Sequence, residues 1–149
     1  MKQRRNVKDD LIDANTPIGA VKFVLLHHDG CARAKFHFRI ELDGSRTQLI
    51  PTNSKGQHPN SLGIVISGVF DELTPTPEQM NGLKELLVDL KMRYPGFVLG
   101  AHRQVRADRT TTCPGAKFPM GELSAWAKGE LLTIRNERIQ VDIESQYGP

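Results

Sequence analysis

Cysteine is scarce in this chain, with two among 149 residues, Cys31 and Cys113. That count excludes a disulfide framework and suits a reducing interior. No run approaches the roughly 20 consecutive apolar residues of a membrane span. The basic start, Met1 to Asp10, is not followed by the apolar segment of an export signal. The expectation is a protein that is cytoplasmic as synthesised and does not enter a membrane. Aromatic residues make up 6%, with one Trp and two Tyr, and no basic stretch is interleaved with them. The net charge of +3 and pI near 9.0 are therefore mild, and no nucleic-acid partner is expected.

What is present suits one α/β domain large enough to bury a core. Residues 1–20 are polar and close on Thr16-Pro17-Ile18-Gly19, which reads as an arm and a turn. Residues 21–28 and 62–67 are nearly continuous apolar runs, the pattern of strands covered on both faces. Residues 36–42 alternate, with Phe36, Phe38, Ile40 and Leu42 against His37, Arg39 and Glu41. Asp43-Gly44 then signals a hairpin into a strand over 45–50. Thr76 as N-cap and Pro77 at the first helical position open a helix whose apolar stripe is Leu83, Leu86, Leu87, Leu90 and Tyr94. Pro95-Gly96 ends it, and residues 97–100 form a short strand. A closing helix over 122–132 buries Leu123, Trp126 and Leu131, and the tail 133–149 carries Ile134, Ile139, Val141 and Ile143 between charges, as an edge strand or a contact segment. The domain proper is thus 21–132, between the arm 1–20 and the tail 133–149.

Chemistry concentrates after the strand at 97–100. His102 follows it, and Cys113 lies between a threonine cluster and a Pro-Gly turn. Imidazole nitrogen and thiolate sulfur together suit zinc, and a catalytic zinc takes three protein ligands with a fourth position left for water. The pair His27-His28 ends the first apolar run and supplies the best third donor, because a strand end holds a ligand rigidly. Strand alternation sends the two imidazoles to opposite faces, so one of them ligates. The spacing alone equally describes a hydrogen-bonded loop histidine and a small buried cysteine.

Five segments decide between these. Gly100-Ala101-His102-Arg103 with Val105, Thr111 with Cys113-Pro114-Gly115, Val24-Leu25-Leu26-His27-His28, residues 36–44 and residues 60–68 together resemble the zinc-dependent N-acetylmuramoyl-L-alanine amidases of the phage-lysozyme and peptidoglycan-recognition-protein family. The resemblance spans about residues 21–131. It implies a central mixed β-sheet of about five strands flanked by helices, with zinc as cofactor and His27, His102 and Cys113 as its ligands. His28 is then structural. The implied reaction is hydrolysis of the amide between N-acetylmuramic acid and L-alanine, with bacterial peptidoglycan or muropeptide fragments as partner. The implied place of action is the cell wall after release, and oligomeric state stays open. Thr111 aligns with a position whose side chain donates to the developing oxyanion. Asn53, His58 and Asn60 align with a loop that touches the glycopeptide, although each equally suits a turn residue.

Two departures stand out. Relatives carry a helix after the first strand, and residues 29–35 are too few to hold one, so that helix is shortened or missing. Phe36, a substrate-side position, falls where active members carry a tyrosine that orients water or the scissile carbonyl, and phenylalanine cannot hydrogen-bond. The alternative is therefore a catalytically weakened or inactive peptidoglycan-binding module, and a further one is a structural-zinc or metal-free interaction domain. Proton transfer then falls to a nearby acid, to His37 or to water. Cys31 is an alternative ligand close to the metal, which nothing in the family pattern requires.

Overall fold

The computed structural model describes residues 21–31, 35–56, 60–105 and 111–129. The arm, the tail, His58 and Leu131 lie outside these. In chain order the elements are β1 (Phe23–His28), β2 (Phe38–Ile40), β3 (Arg46–Gln48), β4 (Ser61–Ile66), α1 (Pro77–Arg93), β5 (Val98–Ala101), a single 3-10 turn (His102–Gln104) and α2 (Met120–Gly129). The strands form one five-stranded sheet in the order β3-β2-β4-β1-β5. Pairing is parallel except between β2 and β3, so the sheet is mixed, as the family resemblance implied. No helix occurs among the described residues between β1 and β2, where Asp29 and Gly30 make a turn. Among the described residues no helix is long and apolar enough to cross a membrane.

The two apolar runs became the two central strands because every residue of β1 and of β4 is buried. Their register pairs Leu26 with Ile64 and His28 with Ile66. One face of the sheet therefore carries Val24, Leu26, Leu62, Ile64, Ile66 and Leu99, which join Leu83, Leu86, Leu87 and Leu90 of α1 in one contiguous core. The opposite face carries His27 beside Val65, with Gly63 beside Leu25. Over Gly63 lie the His27 imidazole and the Phe36 ring.

Helix α1 starts where its signals place it. Thr76 Oγ1 accepts from Gln79 N at 3.0 Å and Gln79 Oε1 accepts from Thr76 N at 3.1 Å, a reciprocal cap of the kind that contributes about 1 kcal/mol. Gln79 is buried because its Nε2 also donates to Ser67 O at 2.7 Å, pinning the helix start to the end of β4. Trp126 is partly buried against the core, with Lys84 Nζ 5.6 Å from its ring centre.

The hairpin differs from the alternating pattern. Regular pairing is confined to three residues on each strand, and Leu42 is 67% exposed rather than on the buried face. The turn begins earlier than the pattern suggests. Gly44 N donates to Glu41 O at 2.9 Å, and Asp43 Oδ1 accepts from both the backbone and the hydroxyl of Ser45, which swings Leu42 outward. His37 also departs from the polar face assigned to it. It is fully buried, its Nδ1 accepting from Gly63 N at 3.0 Å and its Nε2 lying 2.8 Å from Ser54 O. Both ring nitrogens serve the backbone, so His37 is a fastener between segments rather than a proton carrier.

Candidate metal centre

Sheet register builds the nitrogen half of the site. β1 and β5 pair in parallel up to Leu26 and Ala101. The next residues along, His27 and His102, therefore lie side by side, with ring centres 4.8 Å apart. His28 points the other way, where its Nδ1 accepts from Phe70 N at 2.9 Å, and burial lowers its pKa against the upward pull of Asp71 and Asp29. It is the structural member of the pair.

Loops bring the sulfur half. Arg103 N donates to Cys113 O at 3.0 Å, which lays the segment 111–116 beside the 3-10 turn. Cys113 Sγ then lies 3.8 Å from His27 Nδ1. A fourth ligand atom comes from the turn after β1, where Cys31 Sγ lies 3.4 Å from His102 Nδ1. The ligand atoms of His27, Cys31, His102 and Cys113 all lie within 4.8 Å of one another. Both cysteines are free thiols.

The donor set fits zinc. A tetrahedral zinc holds nitrogen at about 2.0–2.1 Å and sulfur at about 2.3 Å, which places a nitrogen and a sulfur roughly 3.5 Å apart. Two of the contacts, at 3.4 and 3.8 Å, match that edge. Burial pushes the Cys113 thiol far above its ordinary range, outweighing the downward pulls of a backbone hydrogen bond and the Arg103 guanidinium. A thiolate so placed needs a cation beside it, and a divalent ion supplies that charge.

The loop that carries Cys113 is fastened from outside. Asp71 Oδ1 accepts from Thr112 Oγ1 at 2.8 Å and from Ala116 N at 3.0 Å, and these two bonds hold its carboxyl below the usual value. Arg103 Nη1 donates to Thr112 O and Gly115 O, each at 3.3 Å. Asp71 had no signal in the sequence, since its partners lie more than forty residues away and follow no motif.

Among the other residues singled out, Thr111 Oγ1 accepts from Cys113 N at 3.1 Å, and Thr111 is half-buried. Phe36 is 7% exposed and its ring centre lies 4.6 Å from that of His27. It walls the histidine rather than projecting into solvent. Asn53 is exposed in the loop before β4. Asn60 adopts φ +54, and its carbonyl accepts from Lys22 N and Phe23 N, so it serves the start of β1 and β4.

Known proteins resemble this chain in sequence and in fold. Residues 14–116 match the sequence family described as N-acetylmuramoyl-L-alanine amidase. An endolysin of Klebsiella phage KP32 is 35% identical over 108 residues, covering 66% of this chain and 67% of that protein. A solved endolysin N-acetylmuramoyl-L-alanine amidase, LysCS from Clostridium intestinale, aligns with a TM-score of 0.66 and 27% identity over 75% of this chain and 87% of its own. A Drosophila PGRP-LB mutant in complex with tracheal cytotoxin has the same fold, with a TM-score of 0.62 and 24% identity over 72% and 82% of the two chains.

Proposed function

Because this chain belongs to the N-acetylmuramoyl-L-alanine amidase family and hydrolyses the amide of peptidoglycan, we propose that zinc held by His27, His102 and Cys113 is its catalytic centre. The observation that carries this reading is the convergence of three distant segments on one buried group of nitrogen and sulfur atoms. Bound there, zinc would make water acidic enough to supply hydroxide near neutral pH and would polarise a carbonyl.

The chain's own residues do the rest. Thr111 accepts from the Cys113 backbone and keeps its hydroxyl proton to donate toward the oxygen on which charge develops. Asp71 and Arg103 hold the loop that carries both Thr111 and Cys113, so they are positioning residues. Phe36 packs against His27 and fixes its ring orientation while excluding water from that side. The substrate is the bond between the lactyl group of N-acetylmuramic acid and L-alanine, in peptidoglycan or its muropeptide fragments. Asn53 on its exposed loop is a candidate contact for the sugar-peptide.

The test uses the protein with purified peptidoglycan and reads newly exposed N-terminal L-alanine. Chelation is expected to stop release and added zinc to restore it. Release that continues unchanged after the protein has been stripped of metal overturns the zinc assignment.

Phe36 marks this chain as a slow enzyme of its class, because the ring lacks the hydroxyl that the family tyrosine supplies. Losing one proton-transfer or orienting group commonly costs roughly 10²–10⁴-fold. Phe36→Tyr is accordingly expected to raise kcat by about 10-fold or more with little change in KM. An unchanged kcat, in a variant that melts like the wild type, would show that other groups carry the proton.

A further inference from the structure

Three of the four clustered ligands are sealed from solvent: His27 is 1% exposed, His102 2% and Cys113 0%. Cys31 is the half-buried member, so it stands between the cluster and the surface. Its sulfur completes a set of two histidines and two cysteines, and four protein ligands around zinc make a closed site of the structural kind, whereas hydrolysis needs a position open to water. The site described above is thus one ligand too full.

The placement of Cys31 is built in. Its N–H donates to His28 O at 3.0 Å, closing a tight turn directly off β1. Asp29 anchors the same turn, its N–H donating to Gly68 O at 2.8 Å and its carboxylate accepting from Gly68 N and from Arg39 Nη1, each at 2.9 Å. Gly30 has no room for a side chain, since a Cβ there would lie 2.7 Å from the His28 imidazole. The chain therefore runs close against His28, and the next residue reaches the cluster, with its sulfur 3.4 Å from His102 Nδ1. Among the described residues no helix separates β1 from β2, and Cys31 follows the turn at 29–30 directly into the cluster.

We propose that Cys31 is the fourth ligand of the resting site and gates the enzyme by occupying the coordination position that water must take. This rests on the zinc reading of the same site. On binding, the Cys31 thiol gives up its proton, and it takes one back when it leaves. Because the turn is short and at the surface, the thiol withdraws by a local movement that leaves the sheet intact. A substrate that fills the space over the cluster, or chemical capping of the thiol, favours the open form.

Cobalt(II) in place of zinc tests this, since the near-ultraviolet sulfur-to-cobalt absorption scales with the number of bound thiolates. The wild type is expected to show about twice the absorption per cobalt of Cys31→Ala and Cys31→Ser. Iodoacetamide mapped by peptide mass is expected to spare Cys31 in the zinc-loaded wild type and to label it after chelation, a readout that needs no variant to fold. With zinc, both variants are expected to release L-alanine several-fold faster than wild type. Equal absorption in wild type and variants, or ready labelling of Cys31 in the zinc-loaded protein, overturns the fourth-ligand assignment while leaving zinc at the other three residues. Two thiolates with no gain in release by the variants overturns the gate. A wild type that binds no cobalt overturns both this proposal and the zinc reading.

Discussion

Cys113→Ser is expected to reduce L-alanine release from peptidoglycan by more than the roughly 10²–10³-fold that loss of a single oxyanion donor costs. Serine preserves size and the hydrogen bond from Cys113 N to Thr111, but its hydroxyl ionises far less readily than a thiol and is a poor zinc ligand. The site is then left with His27, His102 and Cys31, whose ligand atoms lie in the same group. Zinc is expected to remain detectable in the single variant, more weakly held, because three donors persist. The double change Cys31→Ser with Cys113→Ser leaves two imidazoles and is expected to lose stoichiometric metal. Metal content by elemental analysis, together with melting temperature, separates loss of chemistry from loss of fold. Burying the serine hydroxyl costs about 1–3 kcal/mol, which the melt reads directly. Undiminished release by the single variant would remove Cys113 from the catalytic centre.

Gly82→Ala is expected to have the largest effect on stability. Elsewhere in a helix the change stabilises by about 1 kcal/mol, since alanine is the better helix former. Here a Cβ at position 82 would lie 1.9 Å from Gly44 O, inside the hairpin turn. Gly44 itself stands at φ +89, and a Cβ on it would lie 2.3 Å from Glu78 O, so neither backbone can yield without moving the other element. Overpacking of this kind costs about 1–3 kcal/mol or more, and contact between two backbones sits at the upper end. The clash outweighs the propensity gain. A domain of this size loses roughly 3 °C per kcal/mol, so a fall of about 5 °C or more in Tm is expected. A Tm equal to or above that of the wild type would mean that hairpin and helix are not in this close contact.

Much of the architecture was legible because its signals were local. The buried runs of β1 and β4 and the cap at Thr76 with Pro77 depend on neighbours in sequence and formed as expected, and the Asp43-Gly44 turn formed where its residues stand but begins already at Glu41. The pairing of His27 with His102 followed from motif resemblance, and the sheet register supplies its physical reason. What alternation could not convey was where a strand stops. Phe36 to Leu42 keeps its period through a turn, so Leu42 was assigned inward and His37 outward, while hydrogen bonds to Gly63 and Ser54 decided otherwise. Cys31 was visible as a nearby thiol, but its contact with His102 spans 71 positions and depends on a turn closing over the sheet. Asp71 was invisible for the same reason.

The parallel ladder that sets His27 beside His102 has a consequence for how the protein comes apart. His27 is fixed in the fully buried strand β1 and His102 directly follows β5, which is paired to it, while the sulfur donors hang from a turn and a loop fastened by exposed Asp29 and Asp71 and half-buried Arg103. Warming or mild denaturant should therefore release the ion first, in a subglobal step that leaves the far-ultraviolet signal unchanged, and the inactivation temperature should sit below the melting temperature.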